Sequence, residues 1–378
     1  MFRKLLDSSA WLPGYLLDNI KKGPFNSHAG PGPAHIFLCI CDHFEPYCNG
    51  AGGKTARARI NRWISEYPKI AGRFPDSDGS ILKYSFFYPE EEYRHEDMQA
   101  LAELCHAGYG EVEIHLHHDN DTSDNLRRHL IEYRNRLYEQ HGLLSVDGRT
   151  GSLSYGFIHG NWALDNSRRD GRWCGVNDEL TVLLETGCYA DFTMPTAPSD
   201  TQIGKINSIY RAVDDPLKPK SHNTGNDVVA GKKGEGLLMV QGPLCLDWSK
   251  KKFFVLPGIE NSGLYASSPP TAARLKNWLS TAVQVRGFPR GVFVKLYTHG
   301  AQEEIMKMLF DDGGLGNLLS SLKEYEPESC VHFLSAREMA NIILGLEDGF
   351  ADYSAEMRDH RLKTAWKGGE LSACELRK

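Results

Sequence analysis

The stretch His35-Ile-Phe-Leu-Cys-Ile-Cys41, running straight into Asp42-His43-Phe44-Glu45-Pro46, decides how the rest of the chain is read. A short apolar run rich in β-branched and aromatic side chains is a strand buried on both faces, the kind that parallel sheets use. It stops abruptly in Asp42, His43 and Glu45, which can bind a metal or move a proton. An acid at the end of a buried strand is costly without a partner, so Asp42 is expected to meet a metal or a basic group. Cys39 and Cys41 fall on one face of the strand, where two small core side chains are expected.

Upstream, residues 22–34 are a breaker-rich linker of Gly, Pro, Ser and Asn. Residues 1–20 are interrupted by Asp7, Pro13 and Asp18, too broken for a secretion signal or a membrane span, and are expected to form an amphipathic helix. Residues 1–34 are therefore an extension and linker. Downstream, helical spacing at 54–73 places Ile60, Trp63, Ile64, Tyr67 and Ile70 on one face. A strand at 80–88 and a helix at 91–107 follow, then a strand at 111–117 and a charged helix at 124–141. The next pair is a strand at 155–159 and a helix at 180–186, with Gly187 as its stop; a strand at 189–194 completes the series.

Strands alternating with helices predict an α/β fold with a parallel sheet, and the repeat count predicts a distorted (β/α) barrel of about seven strands over residues 35–345. Residues 195–270 break the pattern and read as a long insertion containing a hairpin at 237–256. A helix at 271–285 and a strand at 291–297 resume it, the strand ending in Thr298-His299-Gly300. Helices follow at 302–310 and 338–344, and residues 346–378 read as a peripheral charged tail.

The 378 residues are 41% hydrophobic and 24% charged, which suffices for a large core without staples. A net charge of −6 excludes a strongly basic surface, so neither nucleic acid nor an anionic membrane is an expected partner. The expected partner is a small or neutral molecule. Nine cysteines without CxxC spacing are no disulfide framework and fit reduced thiols in a cytoplasmic protein. Oligomeric state is not readable from the sequence.

In parallel α/β folds the C-terminal strand ends carry the site. Here the first strand ends in Asp42 and His43, with Glu45 beside them. The third ends in His115-Leu-His-His-Asp-Asn-Asp121, the fourth in His159 and the last in His299. His115 and His117 point to one face, and imidazoles with carboxylates at this spacing suit Zn²⁺ or another divalent ion; a solvated charged loop is the alternative. A metal-dependent hydrolase needs a base, for which Asp42 or Glu45 would serve, and an acid, for which His299 would serve. Glu45, His159, Asn161 and Trp162 are the candidate substrate contacts, Trp162 by stacking on a sugar ring.

The order of these motifs resembles the polysaccharide deacetylase superfamily. Ile40-Cys-Asp-His-Phe44 looks like the motif in which a strand ends in paired Asp. Glu113-Ile-His-Leu-His117 looks like the second motif. Leu183-Leu-Glu-Thr-Gly-Cys-Tyr-Ala-Asp-Phe-Thr193 is similar to the helix–Gly–strand segment, and Val294-Lys-Leu-Tyr-Thr-His299 to the last strand. The resemblance implies removal of acetyl groups from an N-acetylated sugar or polysaccharide precursor, with Asp42 as base and His299 as acid. His43, His117 and Asp121 would stand at the metal positions, or Asp42, His115 and His117 would form the set. A glycoside hydrolase using Asp42, Glu45, Asp119 and Asp121, or a glycan-binding protein without catalysis, would share the fold.

Overall fold

In the computed structural model, residues 11–21, 33–252, 256–325 and 327–366 are described. The strands are β1 (His35–His43), β2 (Tyr84–Pro89), β3 (Gly110–Leu116), β4 (Ser145–Asp147), β5 (Leu153–His159), β6 (Cys188–Asp191), β7 (Ile209–Ala212), β8 (Asn226–Asp227), β9 (Leu237–Val240), β10 (Cys245–Lys252), β11 (Leu256–Glu260), β12 (Gly291–Thr298), β13 (Cys330–Leu334) and β14 (Leu362–Thr364). The helices are α1 (Leu12–Lys21), α2 (Gly53–Ala71), α3 (His95–Leu104), α4 (Ser123–His141), α5 (Glu179–Glu185), α6 (Ala272–Thr281), α7 (Glu303–Met306), α8 (Gly314–Tyr325) and α9 (Ala336–Glu347).

The protein is mixed α/β around one large, mostly parallel sheet in the order β12-β1-β2-β3-β5-β6-β9-β7-β8. β13 pairs in parallel with the first half of β1, and β2 with its end. Only β7, β8 and the small β4–β14 edge run antiparallel. Among the described residues no ladder joins β12 to β8. Residues 283–286 lie between them: the Phe293 N–H donates to Val283 O, while Gln284 and Arg286 make single bridges to Ser208 and Val229.

β1 explains the layers. Ile36, Leu38 and Ile40 pack with Trp63 and Tyr67 of α2, in a core shared with Leu101 of α3 and Leu130 of α4. Phe37, Cys39 and Cys41 share the other core with Ile158, Ala190, Leu238 and Phe293, from strands across the sheet, and with Met339 and Ile343 of α9. The sheet thus curls around an inner core that α9 also enters and carries α2, α3 and α4 outside, and alternation of two assigns each β1 side chain to one face or the other. The two cysteines share the inner face as expected, with Sγ atoms 3.6 Å apart. α4 starts where Thr122 Oγ1 accepts the Asn125 N–H and stops at left-handed Gly142.

Three expectations change. Residues 195–270 are only partly an insertion, because β7 and β9 join the main sheet. The hairpin is β10–β11; β9 does not pair with β10, being apolar throughout and buried between β6 and β7. The chain after residue 345 is no peripheral tail, since Met357 and Leu362 are buried in the inner core and Arg358 bonds Asp76 and Asp78. α1 sits where the amphipathic helix was expected, behind Trp11, which packs on Ala197, Ile206 and Leu244. Residues 1–10, residues 22–32 of the linker and residues 367–378 lie outside the described residues. No described helix is long and apolar enough to cross a membrane.

Candidate metal centre and cleft

The strand ends meet on one edge. Register sets Asp42 opposite Thr298, Pro89 opposite His115 and Leu116 opposite His159. Parity then decides where each side chain goes. His43 continues the inner series of Phe37, Cys39 and Cys41, whereas Asp42 continues the helix-side series of Ile36, Leu38 and Ile40. His115 and His117 turn inward; His118 turns to the helix side, as does His159 after Phe157.

The inner set forms one cluster. The His43 ring lies 4.9 Å from His115 and 4.8 Å from His299, and the His115 ring 4.7 Å from His117, centroid to centroid. Glu45 Oε1 stands 3.1 Å from His115 Nε2 and 3.4 Å from His117 Nε2. His115 Nδ1–H donates to the Ile158 carbonyl at 2.7 Å, and His117 Nδ1 bonds the Glu91 carboxylate. Since a carbonyl only accepts, His115 Nδ1 carries a proton, and the ring turns its Nε2 to the Glu45 carboxylate at hydrogen-bond distance. His117 likewise turns its Nε2 to Glu45, and the Glu91 and Glu45 carboxylates raise its proton affinity against burial. Two ring nitrogens and a carboxylate oxygen converging on one point suit a cation that displaces the protons between them, and an outer carbonyl and carboxylate orienting the rings is how metal-binding imidazoles are held. His43, Glu45 and His115 each offer a ligand atom within 4.8 Å of the others. The residues present therefore fit a divalent ion.

The electrostatics agree. Burial and the neighbouring rings push His43 well below the ordinary histidine value, and burial lowers His299. Both rings are then neutral, with lone pairs available. Burial alone would raise Glu45, but the His115 hydrogen bond and the surrounding imidazoles hold it at about 2. Glu92 goes the other way: burial, with Glu45 and Glu91 nearby, raises it to about 7 against the pull of the Tyr47 N–H.

The cluster opens into a cleft of about 590 Å³ lined by Glu92, Asn161, Trp162, Arg168, Trp173 and His299, among others. Asn161 and Trp162 are where a substrate contact was expected. Both sit in the left-handed region, at φ 53° and 57°, a costly conformation for a Trp that survives only where the surroundings impose it.

Three expected site residues lie elsewhere. Asp42 is fully buried on the helix side, where Oδ1 accepts the Gly300 N–H at 2.6 Å. A Cβ on Gly300 would fall 2.0 Å from Asp42 Oδ2, so only glycine allows this approach. Asp42 thus holds the turn that carries His299 and does not face the cleft. Asp121 lies in the loop after β3, where Oδ1 accepts from Thr122 N and Asn125 Nδ2 at the start of α4 and Oδ2 stands 3.2 Å from His118 Nδ1. It is four residues from His117, but on the other side of the sheet. His159 is fully buried beside His118, Cys174 and Glu179, away from the cleft.

Glu91, Glu92, Arg168 and Trp173 went unmarked in the sequence. The signal for the two acids was present, because Glu90-Glu91-Glu92 directly follows the β2 end at Pro89. A third grouping, Asp76, Asp78 and His332, already holds a cation of the chain itself, the Arg358 guanidinium, which contacts both carboxylates. A scan of protein-family models finds no match to this chain, and no curated protein matches it.

Proposed function

We propose that the protein is a metal-dependent hydrolase that removes acetyl groups from an N-acetylated sugar or polysaccharide precursor. The observation that carries this reading is the convergence of His115 Nε2 and His117 Nε2 on the Glu45 carboxylate, at the floor of the cleft. His43, Glu45, His115 and His117 would hold the ion. Bound there, Zn²⁺ polarises a carbonyl and acidifies water. The chain's own groups do the rest. Neutral His299, held by the Asp42–Gly300 contact, takes the proton of the attacking water. Glu92, protonated near neutrality, gives a proton to the departing amine. The indole of Trp162 offers an apolar face for a sugar ring, and Asn161 and Arg168 offer hydrogen-bond donors for its hydroxyl or amide groups. The bridges through residues 283–286 support reading the curled sheet as the distorted barrel that the motif order implies.

Acetate release from N-acetylated oligosaccharides tests the proposal: it is expected with Zn²⁺, lost on chelation and restored by the metal. Failure of every acetylated sugar in the metal-loaded protein overturns it. One observation favours glycoside hydrolysis instead, namely that Glu45 and Glu92 line one cleft with proton affinities driven apart. Reducing-sugar release without acetate identifies that reaction.

A further inference from the structure

Glu179 opens α5 with its side chain fully buried, facing His118, His159 and Cys174. His118 Nε2 lies 3.3 Å and His159 Nε2 3.4 Å from Glu179 Oε1, and Cys174 Sγ lies 3.3 Å from Glu179 Oε2. One ligand atom from each residue falls within 4.8 Å of all the others. Tetrahedral zinc with nitrogen, oxygen and sulfur ligands has ligand-to-ligand edges of about 3.3–3.8 Å. His159 Nδ1–H donates to the Gly160 carbonyl at 2.5 Å, so its Nε2 is a lone pair; that atom is buried and makes no hydrogen bond. His118 stands between two carboxylates, with Nδ1 3.2 Å from Asp121 Oδ2 and Nε2 turned to Glu179, so a bound ion would take the place of its Nε2 proton. Both rings are thus oriented from behind by an oxygen and aim inward at a carboxylate.

The surroundings say what such a centre does. Residues 160–178 carry Asn161, Trp162, Arg168 and Trp173 to the cleft, with no regular structure longer than a short 3-10 turn. Asn161, Trp162, Asp165, Asn166 and Trp173 all hold φ between 50° and 66°. Asn and Asp tolerate this region, but Trp162 and Trp173 stay there only where their surroundings impose it. His159 precedes this loop, Cys174 lies in it and Glu179 ends it, while His118 anchors all of them to β3.

We propose that His118, His159, Cys174 and Glu179 form a second, closed metal centre suited to Zn²⁺, which pins the loop walling the cleft. It shares no ligand with the cleft cluster and stands whether or not the hydrolase reading does. On binding, the Cys174 thiol gives its proton to solvent and the thiolate ligates the ion, with no change of oxidation state.

The test loads the metal-stripped full-length chain with Co²⁺. A thiolate-to-cobalt charge-transfer band in the near ultraviolet is expected, and Zn²⁺ should displace it. Cys174→Ser should lose the band and one equivalent of tightly bound metal. Cys48→Ser, at the thiol lining the cleft, should keep the band. Glu45→Gln should keep the band while losing the other equivalent. No band in the native sequence, or a band that survives Cys174→Ser or vanishes in Cys48→Ser, overturns the proposal. Should Cys174→Ser not fold, the native and Cys48→Ser spectra still decide it. Unchanged metal content in Glu45→Gln counts against the cleft site alone.

Discussion

Two histidine clusters sit back to back at the end of β3, and they differ in one respect. The cleft cluster leaves His117 about a third exposed, with Glu45 open to the same space. The helix-side cluster has His159 and Glu179 with no exposed side-chain surface and His118 with little. Catalytic metal sites keep an open coordination position and structural ones close it. Similar ligand chemistry therefore reads as two jobs, and the direction in which a side chain leaves one strand selects between them.

The largest effect should come from the open cluster. His115→Ala or Glu45→Gln should cut acetate release by about 100-fold or more and weaken metal binding at least tenfold, since even outer partners of metal ligands are worth about 10–100-fold. A melting temperature close to the native value would show the loss to be chemical. The closed cluster should answer the opposite way. Chelation should lower the native melting temperature by several degrees, because a ligand at about a thousand times its Kd contributes about 4 kcal/mol. In Glu179→Gln chelation should move it far less; an equal shift would erase the distinction between the clusters.

Glu92 sharpens the cleft chemistry. A donor whose proton affinity is raised to about 7 is active below that value, so the rate should fall as pH rises through it. Glu92→Gln should be roughly tenfold or more slower, without that alkaline limb. Trp162→Ala should raise KM about fivefold with kcat little changed, the size expected for one lost aromatic contact of about 1 kcal/mol.

The smallest effect should be at Asp42→Asn, which keeps an oxygen for the Gly300 N–H. Activity should stay within about threefold, whereas a catalytic base would cost about 100-fold or more. Burial raises the folded-state value of Asp42 from 3.8 to about 7. Between those values the unfolded chain has released a proton that the folded chain keeps. This contribution to stability is therefore full below about 4 and is lost as pH rises through about 7, and Asp42→Asn should remove it from urea-denaturation midpoints.

The sequence by itself determined the strand–helix alternation, the strands β1, β3, β5 and β12 to within a few residues, and the edge of the sheet where histidines and acids gather. These are local facts, written in apolar periodicity and in stops such as Gly187. It also singled out His43, Glu45, His115, His117 and His299, which meet. Only the tertiary structure decided that Asp42 and Asp121 stand apart from them. At β1 the reason is parity: neighbours on a strand face opposite ways, and motif order carries no record of which face becomes the cleft. At Asp121 the strand has already ended, so counting from His117 no longer measures direction. Glu179 and Cys174 were out of reach for a different reason. They come from a helix start and an irregular loop, 61 residues and more than 50 from His118 along the chain, and a long-range meeting of that kind leaves no periodic trace.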